Sequence, residues 1–205
     1  MLIYGFSISF FISFFLIFIS ELGDKTQLLV LSFSTKNKAK NILLGVAIGT
    51  FFSHGLAILF GSHLGSFENN TIQFYLSIFT YLSFLVFGII GFIPKAGKES
   101  TSSKFSFLQK ISNLKINSTI LVAINIVIGE FGDKTFLASL GLGLQYPKYK
   151  LFLIMGSIMG MVASNSIALF LGKFLKNKFN SYIVEILSNI LFILFGLIGL
   201  VSVFM

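Results

Sequence analysis

Four acidic residues stand where the surrounding sequence is apolar: Glu21, Asp24, Glu130 and Asp133. An acid at the centre of a bilayer costs about 2.5–3.5 kcal/mol on insertion scales, so four of them need partners. Residues three apart on a helix share a face, so the spacing predicts that Glu21 and Asp24 point together, as do Glu130 and Asp133. Gly23 and Gly132 fall inside the two pairs. A glycine there weakens the helix and lets backbone approach closely, and a locally unwound turn would free carbonyl oxygens beside the carboxylates. Thr26 and Thr135 add hydroxyls, and Gln27 adds an amide oxygen on one side only. If the two motifs converge, the product is a cage of four carboxylates and several neutral oxygens. Hard divalent cations such as Ca2+, Mn2+ and Mg2+ prefer that ligand set. The chain has no Cys, so a metal must be held by oxygen or at most by the two histidines, His54 and His63. Lys25 and Lys134 could neutralise part of the excess negative charge, and so could protons, which clustered carboxylates retain. A site that holds either a metal or protons has the basic property of a cation/proton exchanger.

The elements that must position these residues are membrane spans. Of the 205 residues, 55% are hydrophobic and only 11% charged, against about 25% charged in soluble domains. Six apolar segments can be read, at about 7–34, 42–64, 74–93, 116–144, 151–171 and 183–204. A helix needs roughly 20 apolar residues to cross a bilayer. Continuous runs of this kind fit helices, not the alternating strands of a barrel. The N-terminus lacks a basic lead and a small-residue cleavage site, so it reads as a retained first span with residues 1–6 as an outer extension.

All fifteen basic residues are Lys, and with seven acids they leave a net charge of +8. Eleven of them fall in three loops or linkers: Lys36, Lys38 and Lys40; Lys95, Lys98, Lys104, Lys110 and Lys115; Lys173, Lys176 and Lys178. Only Lys148 and Lys150 fall on the opposite side. The positive charge therefore reads as a topology signal and not as a nucleic-acid surface, and it places both termini outside.

The two halves repeat. Glu21-Leu22-Gly23-Asp24-Lys25-Thr26 recurs as Glu130-Phe131-Gly132-Asp133-Lys134-Thr135. Gly45, Gly49, Ser53, Ala57 and Gly61 match Gly156, Gly160, Ser164, Ala168 and Gly172. Phe87-Gly88-Ile89-Ile90-Gly91 matches Phe195-Gly196-Leu197-Ile198-Gly199. Three spans per half is odd, so the halves must insert in opposite directions. The expected fold is an all-α membrane protein of six transmembrane helices, a 3+3 inverted repeat with N-out and C-out termini. Residues 1–93 form the first three-helix repeat, 94–115 a cytoplasmic linker and 116–205 the second repeat.

Blander readings stand beside the functional ones. The repeated glycines fit ordinary close helix packing. Glu21 with Lys25, and Glu130 with Lys134, could be i,i+4 ion pairs that only stabilise the fold. That leaves Asp24 and Asp133 and the repetition without a reason. Ser53 and His54, matched by Ser164 and Asn165, could complete a coordination shell, relay protons, or make interhelical hydrogen bonds. An intramembrane protease would need a paired-Asp protease motif or H-E-x-x-H, and neither occurs.

Two E-x-G-D-K-[ST] signatures, one opening each half, resemble the Gdt-one/manganese-exporter family of Ca2+/Mn2+:H+ antiporters. The resemblance runs from Ser7 to the C-terminus. It implies a non-enzymatic transporter that moves Mn2+ first, Ca2+ next, out of the cytosol in exchange for protons, with no resident cofactor. It places the metal-binding acids on Glu21, Asp24, Glu130 and Asp133. Lys25 and Lys134 would tune charge, while Thr26, Gln27 and Thr135 would supply oxygens or fix the carboxylates. The compact chain looks like a prokaryotic member, a multi-pass protein of the inner membrane whose partners are the lipid bilayer and a divalent metal ion. A Ca2+-selective exchanger, an exporter of another small solute, and a non-transporting scaffold subunit are the alternatives.

Overall fold

Long runs of Leu, Ile, Val and Phe form helices in lipid because a helix pairs its backbone N–H and C=O groups within its own segment. The computed structural model describes residues 2–22, 24–34, 37–67, 70–92, 117–175 and 181–204, and every regular element among them is helical. In chain order these are α1 (Leu2–Glu21), α2 (Lys25–Ser34), α3 (Ala39–Thr50), a π-helical turn (Phe51–Gly55), α4 (Leu56–Gly65), α5 (Asn70–Ile90), α6 (Ser118–Glu130), α7 (Lys134–Gln145), a 3-10 turn (Pro147–Tyr149), α8 (Lys150–Leu175) and α9 (Ser181–Phe204). The linker expected at 94–115 lies outside the described residues.

Four stretches are long and apolar enough to cross a membrane: Ala39–Gly65, Thr71–Ile90, Pro147–Phe170 and Ile186–Phe204. The remaining two spans are broken, each into two shorter helices that meet at the acidic motif. At 1.5 Å per residue, α6 and α7 run about 20 and 18 Å, so Glu130 falls near mid-span. α1 begins at Leu2 and so includes residues 2–6 of the stretch read as an outer extension. Phe6 packs edge-on to Tyr149 at 5.4 Å and against Phe152 at 4.6 Å, which docks it on α8.

The repeat appears as a set of equivalent contacts between the halves. A Cβ on Gly45 would meet the Thr119 carbonyl, and one on Gly49 the Ala123 carbonyl and Ile126, which seats α3 on α6. In the other half, Gly156 meets the Phe10 carbonyl, and Gly160 the Phe14 carbonyl and Ile17, which seats α8 on α1. Thr119, Ala123 and Ile126 stand 109 positions beyond Phe10, Phe14 and Ile17, the offset that separates Glu21 from Glu130. Between α5 and α9, Gly88 meets the Asn189 carbonyl while Gly196 meets the Tyr81 carbonyl, again matched positions. Exchanging the halves therefore maps these contacts onto each other. Small residues at such crossings let helix backbones approach closely, the device that packs helices in lipid.

The outer surface is apolar, with Phe79, Phe170 and Phe204 about 70% exposed or more. Buried polar side chains lie within. Two apolar clusters flank them. One gathers Leu16, Ile58, Phe84, Ala138, Leu142, Leu153 and Phe192 on the α4–α7 side. The other gathers Ile17, Val30, Ile42, Val46, Val122, Ile126 and Met161 on the α2–α3–α6 side.

Candidate metal site

Three places where a span changes its helical path converge: the α1–α2 break, the α6–α7 break and the π-helical turn between α3 and α4. The breaks are built alike. Each upstream helix ends on its glutamate, and the aspartate three residues on returns its N–H to that glutamate's carbonyl, at 3.3 Å for Asp24 and 3.1 Å for Asp133. In the second copy Gly132 adopts φ +79°, a left-handed conformation that costs a glycine nothing. Asp133 then caps α7, its Oδ1 accepting the Lys134 N–H at 2.7 Å. In the first copy the Gln27 N–H donates to the Asp24 carbonyl at 3.1 Å, which starts α2. Gly23 lies outside the described residues.

This geometry corrects one expectation. Glutamate and aspartate of a copy do not share a helical face, because the helix ends at the glutamate and the i,i+3 rule requires an unbroken turn. Glu21 and Glu130 are each only 1% exposed. Asp24 is partly exposed and Asp133 exposed. The buried cluster is therefore two glutamates, joined by His54. One ring nitrogen of His54 and one carboxylate oxygen from each glutamate lie within 4.8 Å of one another. Glu130, Asp24 and Asp133 all lie within electrostatic reach of Glu21.

Around the cluster, the Thr135 hydroxyl donates to Glu130 Oε2 at 3.3 Å. Ser53 lies 3.0 Å from His54 Nδ1 and 3.1 Å from the Gly49 carbonyl. Gln27 reaches the other half through its amide nitrogen. That nitrogen donates to Ser164 Oγ at 2.5 Å and to the Ser164 carbonyl at 3.1 Å, tying α2 to α8. Asn165 donates to the Met161 carbonyl at 3.0 Å. Lys134, expected beside the acids, sends its Nζ to Ser188 Oγ on α9 at 3.2 Å and over the Phe192 ring at 5.7 Å. The side chains of Lys25 and Thr26 lie outside the description.

Two features escaped the sequence reading. Ser188 and Phe192, the partners of Lys134, sit 54 and 58 residues beyond it in an unremarkable apolar span. Ser139, buried on α7 one turn beyond Thr135, also lies along the interior; a polar residue at i+4 from a motif threonine was the available signal.

Chemically, a triangle of donor atoms no wider than 4.8 Å leaves a centre within about 2.8 Å of all three, a slight contraction away from the 2.3–2.6 Å of Ca–O bonds. The C-terminal ends of α1 and α6 meet here, and their partial negative charge favours a cation.

Known proteins agree with this chemistry. The family model described as "Divalent cation/proton antiporter GDT1" matches residues 9–99 and 118–205. A protein of Vibrio cholerae serotype O1 named "Putative manganese exporter" is 28% identical over 182 residues, covering 87% of this chain and 84% of its own. The "GDT1-like protein C186.05c" of Schizosaccharomyces pombe is 35% identical over 86 residues, covering 42% of this chain and 31% of its own. No solved structure matches the chain. With matches spread over both halves and the signature acids intact in each, this multi-pass membrane chain belongs to the GDT1 family of divalent cation/proton antiporters.

Proposed function

We propose that the chain exports Mn2+ from the cytosol in exchange for protons, with Ca2+ as the next candidate cargo. The observation that carries this reading is the buried meeting of Glu21 and Glu130, brought from helix breaks 109 residues apart to within 4.8 Å. Two carboxylates that close repel when both are ionised. A divalent cation between them removes the repulsion, and so does a proton. Metal and protons thus compete for one place, which is the requirement for obligatory exchange. In the N-out/C-out frame set by the Lys distribution, cytosolic metal enters between the halves and reaches the glutamates. Relative movement of the halves then opens the outer side, where protons displace it. The relative named for manganese export supports the choice of cargo and direction.

Asp24 and Asp133 stand at the starts of α2 and α7, nearer the surface than the glutamates. Their role in this proposal is to receive the ion on its way to or from the buried pair. Thr135 fixes the Glu130 carboxylate. Gln27 and Ser164 tie the two halves together beside it. Lys134 braces α7 on α9.

The test is uptake of Mn2+ into proteoliposomes with an imposed pH gradient. Mn2+ flux should require the gradient and fall to the level of empty liposomes in Glu21→Gln and Glu130→Gln. Flux unchanged in both variants would refute the site. Flux of Ca2+ with none of Mn2+ would favour the Ca2+-selective exchanger. A scaffold subunit would show neither flux nor stabilisation by metal.

A further inference from the structure

The two halves differ at one place that matters for the choice of ion. The repeat matches Ser53-His54 with Ser164-Asn165, so an exact two-fold would put the same donor on both sides. Instead the first half supplies an imidazole and the second a carboxamide. The backbone differs with it: His54 sits in the π-helical turn Phe51–Gly55, whereas α8 runs through Asn165 as a regular helix. Single π turns inside α-helices are rare and frequently occur at functional sites.

The imidazole is anchored through one nitrogen. The Ser53 hydroxyl has one proton, and it lies 3.1 Å from the Gly49 carbonyl, which accepts it in the common i−4 pattern. With that proton so placed, the Ser53 oxygen, 3.0 Å from His54 Nδ1, is able to accept from an Nδ1–H tautomer. The Nδ1–H tautomer leaves the lone pair on Nε2, the arrangement of a metal-binding histidine whose other nitrogen is anchored. His54 is fully buried, and its Nε2 has no hydrogen-bond partner among the described residues. Glu21 Oε2, equally buried, has none among them either. An orphaned buried acceptor is costly, a cost that a cation between His54 and the glutamates would remove.

We propose that His54 Nε2 is a direct ligand of the transported ion and the residue that sets its selectivity, making the site one for first-row transition ions over Ca2+ and Mg2+. This rests on the reading of Glu21 and Glu130 as the transport site. Ca2+ and Mg2+ are bound through oxygen, in shells filled by carboxylates, carbonyls and water. An imidazole occupying one position of the shell disfavours them and retains Mn2+, Fe2+ or Co2+, which accept nitrogen alongside oxygen. The pseudo-two-fold provides the acids in a pair; breaking it at a single residue provides the discrimination.

The chain has two histidines, which makes the test direct. The full-length protein in detergent is loaded with Mn2+, and the bound ion is examined by electron spin-echo envelope modulation for an imidazole 14N coupling. The coupling should appear in the wild type and in His63→Asn, where the altered residue is exposed at the end of α4, and vanish in His54→Asn. In proteoliposomes the preference for Mn2+ over Ca2+ should drop about 10-fold or more in His54→Asn, the scale on which metal sites respond to the loss of a histidine's support. If His54→Asn does not fold, the wild-type and His63→Asn spectra decide alone. Bound Mn2+ that is lost in Glu130→Gln yet shows no imidazole coupling would overturn the His54 assignment and leave the transport site standing. Mn2+ binding indifferent to Glu130→Gln would overturn both.

Discussion

Replacing Glu130 by Gln should make the metal-free protein more stable and the metal-loaded protein less so. The substitution keeps the shape of the side chain, and the amide oxygen can still accept the Thr135 hydroxyl, which donates to Glu130 at 3.3 Å. What it removes is one of two negative charges whose oxygens lie within 4.8 Å. With an effective dielectric constant of about 20, that pair repels by roughly 3.5 kcal/mol, from 332/(20 × 4.8). Relief of this repulsion is greatest at alkaline pH, where neither carboxyl retains a proton. For a chain of this length, about 1 kcal/mol corresponds to 2–4 °C in Tm, so the metal-free variant should melt about 7–14 °C above the wild type if the full repulsion is relieved. Mn2+ reverses the order. At a hundred times its Kd, a ligand bound only by the folded state contributes about 2.7 kcal/mol, a rise of about 5–10 °C in the wild type that the variant should lack. The assay is thermal denaturation in detergent at alkaline pH, with chelator and with Mn2+. A variant that melts below the wild type in chelator and still gains the full Mn2+ shift would refute the argument, because Glu130 would then neither repel Glu21 nor hold the ion.

Three further outcomes are expected. Gly49→Ala and Gly160→Ala press a Cβ toward the backbone carbonyls of Ala123 and Phe14, at 2.8 and 2.6 Å, and each should cost about 1–3 kcal/mol; thermal melts showing one harmful and the other neutral would contradict the equivalence of the two crossings. Gly132→Ala meets no neighbour within 4 Å, so its cost, about 1–2 kcal/mol, should come from the positive φ alone, and Gly132→Asn should melt closer to the wild type. Lys134→Met should lose about 0.5–2 kcal/mol through the Phe192 and Ser188 contacts, and a double-mutant cycle with Ser188→Ala should show coupling; independent effects would place the amine elsewhere.

Much of the fold was readable from the chain because hydropathy is a local quantity. Each apolar stretch reports its own preference for lipid, and the six stretches, including the two later found broken, follow from that. Glu21 and Glu130 were readable because burying an acid is costly, so an acid within an apolar run stands out. Their meeting was readable because self-similarity in sequence implies symmetry in space. The reading erred where it extended a helical rule across Gly132. There φ +79° ends the register and sends Asp133 to cap α7 beside its glutamate's turn instead of beneath the carboxylate. α1 begins at Leu2, and Phe6 packs on Tyr149 and Phe152, a contact between distant segments that hydropathy does not report.

The amino-acid sequence alone determined the membrane class, the duplication and the two glutamates. These depend on composition and on comparison of the chain with itself. Only the tertiary structure decided that His54 joins the acids and that Lys134 leaves them for Ser188. It also decided that Gln27 reaches Ser164, 137 residues away. Those outcomes depend on how a π turn rotates one side chain and on which helices cross where. They are set by packing between distant segments, a quantity that no window of sequence contains.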